Sequence, residues 1–352
     1  MVNKSELVDL IKSGEVISKL DFSGMDMAGA DLSGGIFEEV IFHDANLTGA
    51  SLKESILIQP DFSNADLSNI NMHHTVIEKG ILCGARLANA YLVLATFNEP
   101  NLADACLTGS DLTIAVMIKP NLENTDFSRT LLDRTSIIEG ATRGMNLTEA
   151  ILKQTVLMKA DLTASELKGA SFQGTILLET NLSGKDLRGM NMPLCQLMSA
   201  NLTGCDLRDS DLTQCNFKDA DLSKAKLDRA RAGNALFIKA KLTETSLRGT
   251  YLSQALFPEA EMAMADFSKA NMQQCIINDA RCRGTVFAGA DLTYADFSRA
   301  DLSGADFSSA ELFRAKLHSI KDIGTIWKES NKAAALGDDA DLAEAENWKP
   351  SI

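Results

Sequence analysis

Cys195, Cys205 and Cys215 recur at intervals of ten, and His43, His73, His74 and His318 are the only imidazoles in the chain. Thiols and imidazoles at fixed spacing are the groups that bind metals or act as nucleophiles, so they are weighed first. A zinc centre draws its thiolates from close pairs such as CxxC, and none is present. Each of the three cysteines, like Cys275, falls where the chain otherwise places a small residue, so packing is their expected role. Cys195 and Cys215 are twenty apart and are expected to be stacked neighbours. None of the four histidines has a base or ligand partner at a recognisable spacing, and solvated side chains are expected. No phosphate loop, GxGxxG, GxSxG or HExxH is present. Asp and Asn recur too evenly to single out a catalytic pair. No enzyme activity, cofactor or metal is therefore expected.

The regularity that dilutes these groups is itself the main signal. Stepping by five from Phe22 to Leu317, every position is Leu, Phe, Met or Ile except Thr142, Ala232 and Cys282. Two residues before each of these centres the chain is nearly always small, as at Ala30, Ala45, Ala50 and Ser55. Leu20, Met25, Val40, Ile70, Met145, Lys185 and Met190 break that rule. A buried ammonium at Lys185 would be costly, so a local bulge to the rim is expected there. Asp or Asn commonly precedes the centre, Ser or Thr follows it, and Gly or a charged residue comes next. A period of five suits neither a helix nor an ordinary strand. It suits a chain that turns a corner every five residues and closes a coil in twenty. Coils then stack at about 4.8 Å, giving about 15 coils and a rod of roughly 70 Å.

Phrases such as ADLSG, ANLTG, ADFSN and ADFSR resemble the pentapeptide-repeat proteins across residues 17–317. That resemblance implies an all-β fold, a right-handed quadrilateral β-helix with short helical caps. It also implies a binding surface in place of an active site. The expected organisation is a helical cap over 1–16, the β-helix over 17–317, and a C-terminal cap or dimerisation tail over 318–352. For the first cap, Ser5 is the expected helix start, Leu7, Leu10 and Ile11 the buried face, and Gly14 the terminator. Two short helices are expected in the tail, near Lys332–Leu336 and Asp341–Asn347.

One of the four sides departs from the Asp/Asn rule. Before the centre it reads Ile36, Ile56, Val76, Thr96, Val116, Ser136, Val156 and Ile176. After the centre it adds Ile58, Ile118, Ile138, Met158, Leu178 and Met198, and the preceding corner adds Leu94, Ile114 and Leu194. An outward apolar stripe is expected, densest from Ile56 to Met198 and covering a few hundred Å², which is where exposed patches begin to signal a partner. β-Branched residues also suit extended backbone, and a tail could fold over this side. Glu99, Lys119, Glu139, Lys159 and Glu179 form an alternating ladder on its far edge, expected to hold register. Pro60, Pro100 and Pro120 share a column with Gly80 and Gly140, so a distinct turn without an N–H requirement is expected there.

The chain has 352 residues and a net charge of −14. That balance disfavours direct nucleic-acid binding and suits a soluble protein with a protein partner. No basic stretch leads a long apolar run and no membrane span is expected. Seven cysteines at irregular positions point to reduced thiols and a cytoplasmic setting. Long acidic chains of this type are similar to ones encoded in bacterial secretion clusters, notably type VI, which implies an accessory or effector-loading adaptor. The alternative implied by the resemblance is a DNA mimic that binds or protects DNA gyrase. A homodimer through the C-terminal tail is a further expectation.

Overall fold

The computed structural model describes residues 2–348, and the chain forms two compact units, 1–181 and 182–352. Each is a parallel β-solenoid whose neighbouring turns pair residue i with residue i+20. In the first unit seven such pairings join eight three-residue strands: β1 Val16–Ser18, β2 Ile36–Glu38, β3 Ile56–Ile58, β4 Val76–Glu78, β5 Thr96–Asn98, β6 Val116–Ile118, β7 Ser136–Ile138 and β8 Val156–Met158. In the second unit one column runs from Asp186↔Asp206 to Asp306↔Ile326, again in seven pairings of the same step.

The five-residue phrase has a local cause. The carboxylate or amide before the centre accepts the N–H of the residue after it, closing an Asx turn. Asp111 Oδ1 takes Thr113 N at 2.9 Å and Thr113 Oγ1 at 2.6 Å, and Asn201 serves Thr203 at 3.1 and 2.7 Å. The next residue adopts positive φ, as at Asn64 (56°), Asn124 (56°) and Gly24 (66°). Asn and Gly suit this left-handed conformation best, which explains their place in the phrase. Along the fourth side from Val16 to Met158 no Asp or Asn precedes the centre, no Asx turn forms and three residues stay extended, whereas Ile41, Ile81 and Ile151 on other sides keep the turn. The fourth side of the first unit is therefore the one continuous sheet, and the other sides pair through single residues.

Centres and small residues face inward. Phe22, Phe42 and Phe62 stack at 5.3 and 5.0 Å in the first unit, and Phe217, Phe237 and Phe257 at 4.9 and 4.7 Å in the second. Thr at the small position hides its hydroxyl by donating to a carbonyl 23 residues back. Thr135 Oγ1 reaches Leu112 O at 2.7 Å. Cys205, Cys215 and Cys275 make the same bond, to Leu182, Met192 and Leu252, at 2.8, 2.9 and 3.1 Å. They take the place of threonine. Burial drives the Cys205 thiol up to about 11 and raises Cys215, Cys275 and Cys282 as well.

The proline corner is distinct. On the other three corners the small residue's N–H closes onto a carbonyl three back, as from Ala45 to Phe42 at 3.0 Å. At Pro60, Pro100 and Pro120 the only backbone bond is accepted, by the proline carbonyl, so the missing donor costs nothing. A Cβ on Gly140 would lie 2.7 Å from Pro120 Cγ, so this neighbour of a proline has no room for a side chain.

Several expectations need correction. The first helix, α1, spans Lys4–Lys12, and Asn3, not Ser5, is its N-cap. Asn3 and Glu6 exchange bonds in a capping box. Leu7 is fully buried, Leu10 and Ile11 only half so, and Gly14 follows at φ 80°. Lys4 ties α1 to the carbonyl of Ala28. Lys185 keeps the ordinary turn through N–H to Leu182 O at 3.0 Å, without a bulge, and its side chain is half exposed. Pairing runs beyond 317, through Asp306↔Ile326 and Lys316↔Leu336, and Trp327 stacks on Phe307 at 4.5 Å. A short 3-10 turn follows at Lys332–Ala334, then α2 at Ala340–Asn347 with Asp339 as N-cap.

Candidate interaction surface

The fourth side of the first unit presents its apolar residues outward in strict register. Ile56 pairs with Val76, and Ile118, Ile138 and Met158 follow one another on β6, β7 and β8. Val116, Ser136 and Val156 form the parallel column, continued by Ile176. Leu178 extends the other column by accepting Lys159 N at 2.9 Å. Ile56 is 43% exposed and Ile118 38%. Ile58, Val116, Ile138, Val156, Met158, Ile176 and Leu178 are half-covered, each by the coils above and below. Leu194, exposed, and Met198, half-buried, belong to the second unit.

Leu94 and Ile114 sit on the corner that leads into this side, at φ 62° and 60° and at 40% and 38% exposure. In the same column Gly34 and Gly174 hold φ 70° and 67°, and Glu54, His74, Arg134 and Gln154 hold 58°, 56°, 55° and 54°. A left-handed conformation costs an ordinary L-residue about 1–2 kcal/mol, and β-branched isoleucine is the least suited to it. Large apolar side chains therefore stand, half in water, at a corner that charged and polar residues hold in other coils.

On the far edge, Lys19 meets Glu39 and Glu139 meets Lys159, both at 3.7 Å. Of the expected ladder only Glu139–Lys159 closes. Among the described residues Lys79, Glu99 and Lys119 form no ion pair within 4.0 Å. The closed pairs are more than half exposed and contribute ~0–1 kcal/mol each.

The second unit uses its fourth side differently. The segment from Gly337 into α2 lies against it and lines a groove of about 400 Å³ with Ile276, Ser298, Lys316 and His318. His318 is buried, against the expectation of a solvated ring. Its Nδ1 accepts Asp339 N at 3.1 Å and its Nε2 lies 3.3 Å from Glu346. Arg299, at the repeat position in its own unit that Lys79 and Lys119 hold in theirs, pairs with Glu346 at 3.0 Å. Only the position of His318 after its centre on the fourth side could have hinted at this. Elsewhere in this unit Asp186 and Asp301 are held ionised. A hydrogen bond from Arg188 holds Asp186 at about 2. At Asp301 burial favours the protonated form, but Ser303 and Arg283 outweigh it and hold the group at about 2. Among the described residues no cluster of His, Cys, Asp or Glu is placed to hold a metal ion. Among the described residues no helix is long and apolar enough to cross a membrane.

The sequence profile for pentapeptide repeats matches eight copies, over residues 36–73, 82–113, 143–177, 195–231, 235–274 and 280–318. The chain belongs to the pentapeptide-repeat family. Solved pentapeptide-repeat structures similar to it include HetL, involved in heterocyst differentiation regulation in the cyanobacterium Nostoc sp. strain PCC 7120. HetL is 26% identical over 71% of this chain and 91% of its own, with a TM-score of 0.31. QnrB1, a plasmid-mediated fluoroquinolone resistance protein, is 22% identical over 60% of this chain and 91% of its own, with a TM-score of 0.32. No curated protein matches. The repeat itself accounts for the inward Leu, Phe and small residues. It does not account for the outward Ile and Val column.

Proposed function

We propose that this pentapeptide-repeat protein is a non-enzymatic interaction scaffold, and that the fourth side of its first unit docks a protein partner. The observation that carries the reading is the column of outward Ile and Val in strict register, flanked at its corner by the half-exposed Leu94 and Ile114. The biological setting we favour is a cytoplasmic accessory or effector-loading adaptor of a bacterial secretion system such as type VI. Its support is the chain's length, its acidity and its free thiols. The test is affinity capture from the native host with wild type and with Ile118, Ile138, Met158 and Leu178 changed to Ser. The expected result is a partner recovered by wild type alone. Equal recovery by the variant refutes the assignment of the surface.

The alternative, a DNA mimic acting on gyrase, draws on the acidic charge and on the name of QnrB1. Against it, the second unit's acids are neutralised in place: Arg229 pairs with Asp209 at 2.7 Å, Arg283 with Asp301 at 2.8 Å and Arg299 with Asp279 at 2.7 Å. Inhibition or protection of gyrase in a supercoiling assay would reverse our preference. Dimerisation through the tail would use the exposed Leu342 and Trp348. Light scattering on the full chain and on one ending at Leu336, after the last pairing, separates dimer from monomer.

A further inference from the structure

The occupant of the apolar side has a template inside the molecule. On the second unit's fourth side, Leu342 and Glu346 share one face of α2, spaced i and i+4, and the N-cap Asp339 precedes Leu342 by three residues. Leu342 lines the groove with Ile276 and Leu336, and Glu346 reaches Arg299 on the edge column. Ser298 and His318, the residues after their centres, are buried beneath this segment. In the first unit the equivalent residues Ile58, Ile118, Ile138 and Met158 are partly open to solvent, Ile118 the most at 38%. The edge column there carries Lys79 and Lys119 without an ion pair, with Glu99 between them one coil from each, at the repeat position where Arg299 holds a helix carboxylate in the second unit.

We propose that the first unit's fourth side binds an amphipathic α-helix of a partner protein, apolar on one face and carrying carboxylates seven residues apart for Lys79 and Lys119. The inference rests on the scaffold reading above and names the kind of partner. The dimensions agree. Six coil steps from Ile56 to Ile176 span about 29 Å, which a helix covers in about 20 residues. A side about 10 Å wide takes one helix. Lys79 and Lys119 are two coils apart, about 10 Å, and seven helical residues rise about 10.5 Å. A second copy laid flat on this side would bury only about 300 Å² per partner, well short of the roughly 800 Å² of a stable interface. A helix needs no such area to bind transiently, and it presents its anchors at i, i+3, i+4 and i+7.

The probe is a synthetic 20-residue peptide with Leu on one face, Glu at two positions seven apart on its flank, and Lys and Gln elsewhere. A control of the same composition carries two central prolines. Fluorescence anisotropy is read against the full-length protein. Saturable binding is expected, at least about tenfold weaker for the proline control. The Lys79→Glu, Lys119→Glu variant should bind about fivefold more weakly, and a peptide with Lys in place of the two Glu should recover that loss. Equal binding of the helical and proline peptides, abolished by the four Ser substitutions, overturns the helix while leaving the docking surface standing. Helical binding unaffected by the Lys variant overturns the charge match. Failure of every peptide overturns the helix, and affinity capture then decides the scaffold reading separately. A dimer in light scattering that the Ser variant abolishes assigns the side to a second copy and refutes the proposal.

Discussion

Replacing Ile114 by glycine and, separately, by alanine tests whether apolar side chains are held at the corner against the backbone's preference. Ile114 has φ 60° and is 38% exposed. Both substitutions remove its half-buried branches, at a cost of about 1 kcal/mol. Alanine keeps the left-handed penalty of about 1–2 kcal/mol, and glycine removes it. Glycine in turn gives up about 0.5–1 kcal/mol more chain entropy on folding. The balance leaves Ile114→Gly more stable than Ile114→Ala by about 0.5–1 kcal/mol, the reverse of their order in a helix or strand. Scanning calorimetry should resolve this as a melting point roughly 1–4 °C higher for the glycine variant. Gly34→Ala is the matched control. An added Cβ there meets nothing within 4 Å, so its loss of about 1 kcal/mol would come from φ 70° alone. Both Ile114 variants should lose partner binding alike. An alanine variant as stable as the glycine variant would refute the argument that Ile114 is kept for its exposed side chain at a conformational cost.

Acid should destabilise the protein only at low pH. The folded-state values of Asp21, Asp31, Asp66, Asp161, Asp186 and Asp206 are lowered, chiefly by hydrogen bonds from the Ser, Thr or Arg two residues on. Their contribution is present above the unfolded value near 4 and is lost as pH falls through the folded values toward 2. Urea midpoints should therefore stay level down to about pH 4.5 and then drop; a steep loss between pH 7 and 5 would contradict the assignment. Phe237→Ala, which opens the stack between Phe217 and Phe257, should cost ~3–5 kcal/mol by chemical unfolding, and a loss under 1 kcal/mol would show the stack to be dispensable. Cys275→Thr should be nearly neutral, within about 1 kcal/mol, because threonine makes the same bond to the carbonyl 23 residues back. A large loss would point to a thiol-specific role.

The turn length was legible because every coil repeats the same local chemistry, from the Asx turn through the left-handed corner to the inward Leu or Phe. The open side was legible for the same reason in reverse, since Ile56, Val116 and Val156 break a rule that their neighbours keep. What escaped depends on contacts distant in sequence. The turns continue past Leu317 although Asp322 and Lys332 occupy the centre column, because Trp327 still stacks on Phe307 and Leu336 still pairs with Lys316. His318 looks like any surface histidine until α2 folds back over it. Two residues could begin α1, Asn3 and Ser5. Glu6 decides between them by bonding to the Asn3 N–H.

The central claim is that the fourth side of the first unit is the surface this protein presents to its partner. The most direct measurement places a photo-crosslinking amino acid at Ile138, on that side, and at Ser128, on another side of the same unit, and illuminates native-host cells expressing each. A discrete adduct from position 138, absent from position 128, is the predicted result. Adducts of equal yield from both positions, or none from 138, would contradict it.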